Sequence, residues 1–137
     1  MNDAIQTKTL PEKYDCLAPD QSEIRLLAAT ERASTVHCTL PPGKASLAVA
    51  HRTVEEIWFF LDGEGEMWQK LGDEEEVTAI APGVSLTIPT GAHFQFRNTG
   101  EIPLRFLCMT IPPGPGDEEA YRVPDHWQGY LDALRWG

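Results

Sequence analysis

The stretch Gly83-Val84-Ser85-Leu86-Thr87-Ile88-Pro89-Thr90-Gly91-Ala92-His93-Phe94-Gln95-Phe96-Arg97-Asn98 reads as two short strands parted by a turn. Val84, Leu86 and Ile88 alternate with Ser85 and Thr87, the period-2 pattern of a strand with one face in a core. Pro89-Thr90-Gly91 interrupts the run. Beyond it, Phe94 and Phe96 share one parity, while His93, Gln95 and Arg97 share the other. The segment from Gly43 to Gly63 follows the same grammar, with Glu56, Trp58 and Phe60 on one parity and Phe59 on the other.

Working outward, short apolar runs alternate with turn residues from Ser22 onward. The expected strands are Glu23–Ala28, Thr35–Leu40, Ser46–His51, Glu56–Leu61, Glu66–Lys70, Glu76–Ile80, Val84–Ile88, His93–Asn98 and Leu104–Ile111. Runs of this length, separated by Pro41-Pro42-Gly43, Asp62-Gly63-Glu64-Gly65, Gly72-Asp73 and similar breaks, argue for an all-β sandwich or barrel. Residues 1–21 carry no sustained period and read as an N-terminal arm. Residues 22–112 form the barrel. Residues 113–137 begin as a Pro/Gly-rich loop, and Trp127, Tyr130, Leu131, Leu134 and Arg135 then have the spacing of a short C-terminal helix. Pro112 to Glu119 reads either as a surface loop or as a lid.

The chain has 137 residues, enough for one domain with a real core. Lys and Arg number 11 against 21 Asp and Glu, a formal charge of −10, which argues against nucleic acid and anionic membrane as partners. Cys16, Cys38 and Cys108 are odd in number and lack CxxC spacing. With no apolar leader in Met1–Lys8, they are expected to be free thiols in a cytoplasmic, reducing setting. The longest apolar runs, Ile57–Leu61 and Leu47–Ala50, fall far short of the ~18 residues of a membrane helix.

The two Gly-punctuated segments resemble the two motifs of the cupin superfamily. The first motif runs Gly, five residues, His-x-His, three or four residues, Glu, six residues, Gly. Here Gly43 is followed in that spacing by Val49, His51, Glu56 and Gly63. The second runs Gly, five residues, Pro-x-Gly, two residues, His, three residues, Asn, matched by Gly83, Pro89, Gly91, Phe94 and Asn98. The segments 51–58 and 93–97 also look like a group of small bacterial single-domain cupins. The resemblance implies a double-stranded β-helix, a small jelly-roll barrel with a pocket in its mouth. It also implies that the metal ligands of metal-binding cupins fall at Val49, His51, Glu56 and Phe94.

Two of those four positions are hydrocarbon, and a divalent ion needs three or more N, O or S donors in fixed geometry. His51 and Glu56 are therefore an incomplete metal set, so no cofactor is expected. A divalent metal stays open as an alternative if a bulge after Gly91 re-aims His93 as a third ligand. Without a metal, His51 and Glu56 are a candidate acid/base pair, a chemistry the cupin resemblance admits because metal-free cupins that act as sugar epimerases use it. Val49, Trp58, Phe60, Phe94, Phe96 and Phe106 are the candidate ligand-binding walls. The expected function is binding of a small organic ligand in the barrel mouth. The alternative is a metal-dependent oxygenase, or a metal-free isomerase or epimerase, acting on a sugar-like or keto-acid substrate.

Three further expectations concern the surface. Phe59, Leu107 and Met109 point outward and should form a homodimer face, with small Ala48 and Ala50 beside them. His37 shares the outward parity and reads as a surface or interface histidine. The run Asp73-Glu74-Glu75-Glu76 reads as a solvated hairpin tip.

Overall fold

The computed structural model describes residues 4–114, 116 and 118–127. Among them the chain is all-β, in eleven strands: β1 (Cys16–Leu17), β2 (Glu23–Ala29), β3 (Ser34–Leu40), β4 (Val49–His51), β5 (Glu55–Asp62), β6 (Gly65–Leu71), β7 (Glu74–Ile80), β8 (Ser85–Ile88), β9 (His93–Asn98), β10 (Leu104–Ile111) and β11 (Ala120–Arg122). They pair antiparallel in two sheets, ordered β1-β2-β3-β10-β5-β8 and β11-β4-β9-β6-β7. This is the expected jelly-roll architecture. All nine expected strands are present, with bounds differing by up to three residues.

The sheets face each other because each carries apolar residues on one parity. On β5, Trp58 and Phe60 are buried while Ile57, Phe59 and Leu61 are exposed. On β10, Leu104, Phe106 and Cys108 are buried, and on β9 so are Phe94 and Phe96. These side chains form one cluster between the sheets. Trp58 stacks on Phe106 at 4.2 Å and meets Phe94 and Phe96 edge-on, geometries that add to area burial.

Turn chemistry holds the strands in register. Gly63 has φ +86, and a Cβ there would lie 2.8 Å from the Pro103 carbonyl oxygen; one on Gly65 would collide with the Arg97 carbonyl. Only glycine allows that approach. Asn98 donates from Nδ2 to the Leu40 and Ile102 carbonyls and accepts from the Gly100 N–H. It ties the end of β9 to β3 and to the turn into β10.

Short segments on either side of the central strands also take part in the sheets. Cys16–Leu17 pairs with β2, and Ala120–Arg122 with β4. Sheet structure therefore reaches into both the 1–21 and the 113–137 segments, where alternation is too short to be read. Trp127 is the last described residue, so the expected helix at 127–135 lies outside the described residues but for its first position.

Part of the outer face of the β4 sheet is covered by the chain itself. Gln95, fully buried, accepts the backbone N–H groups of His126 and Trp127 and donates to the Ser46 carbonyl. His126 stacks on Trp68, and Arg97 lies over Trp127. Ala48 and Ala50 are buried in this layer, on the opposite sheet from Phe59, so they do not flank the expected dimer face. Asp73–Glu76 is exposed, as expected of a hairpin tip, and Glu75 also accepts the Trp68 indole N–H at 2.8 Å. His37 keeps its outward parity but is only 3% exposed. Its cross-strand neighbour Arg25 binds the Pro11 and Glu12 carbonyls of the arm. Burial, with Arg105 and Arg25 nearby, pushes the His37 pKa down.

Candidate functional site

A cavity of about 610 Å³ opens at one end of the barrel. His51 reaches it from β4, Glu56 and Trp58 from β5, Phe94 from β9, and Cys108 and Thr110 from β10. Glu56 faces inward because it shares the parity of Trp58 and Phe60. Its cross-strand partner on β10 is Thr110. The Thr110 hydroxyl donates to Glu56 Oε2 at 2.8 Å, and the Trp58 indole donates to Oε1 at 2.9 Å. Both oxygens are thus fixed by strand neighbours.

His51 Nε2 lies 3.8 Å from Glu56 Oε2, beyond a hydrogen bond but well within electrostatic reach. The imidazole packs against Phe94, ring centroids 5.4 Å apart, and its buried Nδ1 has no hydrogen-bond partner among the described residues. The two motif positions that lack a donor, Val49 and Phe94, are direct cross-strand partners. They bring hydrocarbon to the point where the family motif would bring imidazoles. His93 pairs with Lys70 on β6 and does not line the cavity, so it joins neither His51 nor Glu56. Among the described residues no group of three or more His, Cys, Asp or Glu is arranged to hold a metal. At the four positions of the family motif, His51 and Glu56 are the two donors and Val49 and Phe94 supply none.

Of the six expected walls, Val49, Trp58, Phe94 and Phe106 line the cavity, whereas Phe60 and Phe96 are core residues away from it. The lining also includes residues that sequence reading missed. Thr110 and Cys108 lie on the inward parity of β10 and were within reach of the alternation argument. Asp20 was not, because it sits in an aperiodic loop. That loop is closed by Gln21, with φ +79, and is pinned by the Leu47 N–H on the Asp20 carbonyl. Asp20 is 6% exposed; burial pushes its carboxyl pKa up and Glu56 adds to the rise, while bonds from Ser22 and the nearby His51 oppose it. Burial likewise holds the Cys38 and Cys108 thiols well above their usual range, so neither is a ready nucleophile.

One wall is latched. Glu119 accepts the N–H groups of Thr53 and Val54 and the Thr53 hydroxyl. Ala120 pairs with His51 across β11 and β4. Desolvation works against the Glu119 carboxylate, yet those hydrogen bonds hold its pKa below the ordinary value.

Comparison with known proteins agrees with this architecture. The chain is 30% identical over 118 residues to the uncharacterized protein MJ1618 of Methanocaldococcus jannaschii, covering 80% of this chain and 91% of that protein. The capsular polysaccharide assembling protein CapF of Staphylococcus aureus superposes with a TM-score of 0.71 at 17% identity. That match covers 87% of this chain but only 33% of CapF, so the chain spans about a third of that protein. A Klebsiella pneumoniae protein with a double-stranded β-helix domain superposes with a TM-score of 0.64 at 16% identity, covering 91% of this chain and all of that one. The cupin domain model matches residues 36–111, and with both motif segments and the two-sheet barrel in place the chain belongs to the cupin family.

Proposed function

We propose that this cupin binds a small organic molecule in the barrel-mouth cavity, using Glu56 and His51 as its polar contacts in place of a metal. The observation that carries the reading is the Glu56 carboxylate, fixed through both oxygens by Trp58 and Thr110 inside a cavity of about 610 Å³ with largely apolar walls. Such a space suits a ligand of small-molecule size with few, well-placed polar groups. A thermal-shift panel of small polyols, amines and carboxylic acids tests it. A binding class at 100 times its Kd adds about 2.7 kcal/mol. At least one class should raise the Tm, and raise it less in Glu56→Gln. A panel without any shift, or shifts equal in the variant, overturns the reading.

Acid–base chemistry on the bound molecule is a second reading, favoured by the 3.8 Å separation of His51 and Glu56. A sugar-like or keto-acid isomerase would use the pair in this way. Its test is exchange of ligand C–H hydrogen with deuterated water, lost in His51→Ala.

We further propose that two copies pair through the outer face of the β5–β10 sheet. Ile57, Phe59, Leu61 and Met109 are each about two-fifths exposed there. On the other sheet, the outer face around Ala48, Ala50 and Trp68 is already covered by Val123 and Trp127 of the same chain. A two-fold axis would set the β5 stripe against itself. The free thiols fit a cytoplasmic setting.

A further inference from the structure

The loop before β2 brings a second carboxyl into the barrel mouth. Asp20 is nine-tenths buried and lines the same cavity as Glu56 and His51. The Ser22 N–H and hydroxyl both bind its Oδ1, and Oδ2 takes no part in those bonds. Two further features point to a missing partner. His51, 8% exposed, lines the same cavity, and among the described residues its buried Nδ1 has no hydrogen-bond partner. In addition, Lys8 is the only Lys or Arg among the described lining residues, and it is exposed at the rim.

We infer that Asp20 is a ligand-binding residue and that the molecule bound is a small organic amine, its ammonium group held between the Asp20 and Glu56 carboxyls and its hydrocarbon against Val49, Trp58 and Phe94. The inference rests on the cavity being a small-molecule site. A carboxylate or phosphate ligand would add a like charge to two carboxyls set among largely apolar walls. An ammonium reverses that interaction and replaces its hydration with hydrogen bonds to carboxyl oxygens. Burial is the main cause of the raised Asp20 pKa, and the Glu56 charge adds to it. A cation between them removes that repulsion.

Three probes of matched shape test the charge preference by calorimetry at constant ionic strength: 2-phenylethylamine, 2-phenylethanol and phenylacetate. The amine should bind the wild-type protein at least about tenfold more tightly than phenylacetate, a difference of about 1.4 kcal/mol. Asp20→Asn and Glu56→Gln should each weaken the amine about fivefold or more while leaving the alcohol within about twofold. Phenylacetate binding as well as the amine, or amine affinity unchanged in both variants, overturns the inference and leaves the cavity a small-molecule site. Failure of all three probes to bind overturns this inference alone, because the small-molecule reading stands or falls on its own thermal-shift panel. The wild-type comparison stands even if a variant fails to fold.

Discussion

Val49 and Phe94 are direct cross-strand partners on β4 and β9, and both occupy positions that the family motif gives to metal-binding imidazoles. The two changes are therefore one local change: a pair of facing donors replaced by a pair of facing hydrocarbons. His51 and Glu56 remain beside them, 3.8 Å apart.

Metal content follows from that pairing. Protein purified without chelator should carry well under one equivalent of zinc, iron, nickel or manganese by elemental analysis. Val49→His combined with Phe94→His should create affinity, because it completes four donors around one point. Replacing the fully packed Phe94 ring costs about 3 kcal/mol, so folding is checked first by circular dichroism. A folded double variant that still binds no metal contradicts this placement.

The two shifted carboxyls give opposite pH dependences. Glu119 has a lowered pKa, so its contribution to stability is complete above the ordinary carboxylate range and is lost as pH falls through its folded value. Glu119→Ala should cost about 1 kcal/mol for each hydrogen bond lost and remove that acid-side transition. Asp20 has a raised pKa, so its contribution is complete below the ordinary range and lost as pH rises through the folded value. Asp20→Asn should gain stability relative to wild type as pH rises from 4 to 8. Thermal melts of both variants across that range check both signs.

Association is read by light scattering. The particle should have twice the 15.3 kDa chain mass. Phe59→Glu should shift it toward monomer by at least about tenfold in Kd, since one large buried side chain is worth about 1.5–3 kcal/mol. A monomer at micromolar concentration in the wild type contradicts the proposed face.

Gln95 is the clasp of the C-terminal segment. Gln95→Ala strands the His126 and Trp127 N–H groups and the Ser46 carbonyl, at a cost of about 2–3 kcal/mol. Hydrogen exchange at His126 and Trp127 should accelerate markedly, with the amides of β5 and β10 little changed. Equal acceleration everywhere would mean that the segment is not a separate unit.

The barrel was legible in the sequence because alternation and turn glycines are local properties. Each strand's parity and each break can be read within a few residues, and so Trp58, Phe94 and Phe106 could be placed inward from their neighbours alone. The incomplete donor set was legible for the same reason, since Val49 and Phe94 stand in fixed spacing to His51 and Glu56. The tertiary structure decided what depends on distant segments meeting. Asp20 lies in an aperiodic loop and reaches the cavity only because Leu47 pins that loop to the barrel. Glu119 matters only where Thr53 and Val54 turn toward it. His37, outward by parity, is nonetheless buried on a face where the N-terminal arm is tied down. Parity fixes which side of a sheet a residue faces; which segment comes to cover that side depends on long-range packing that no local period encodes.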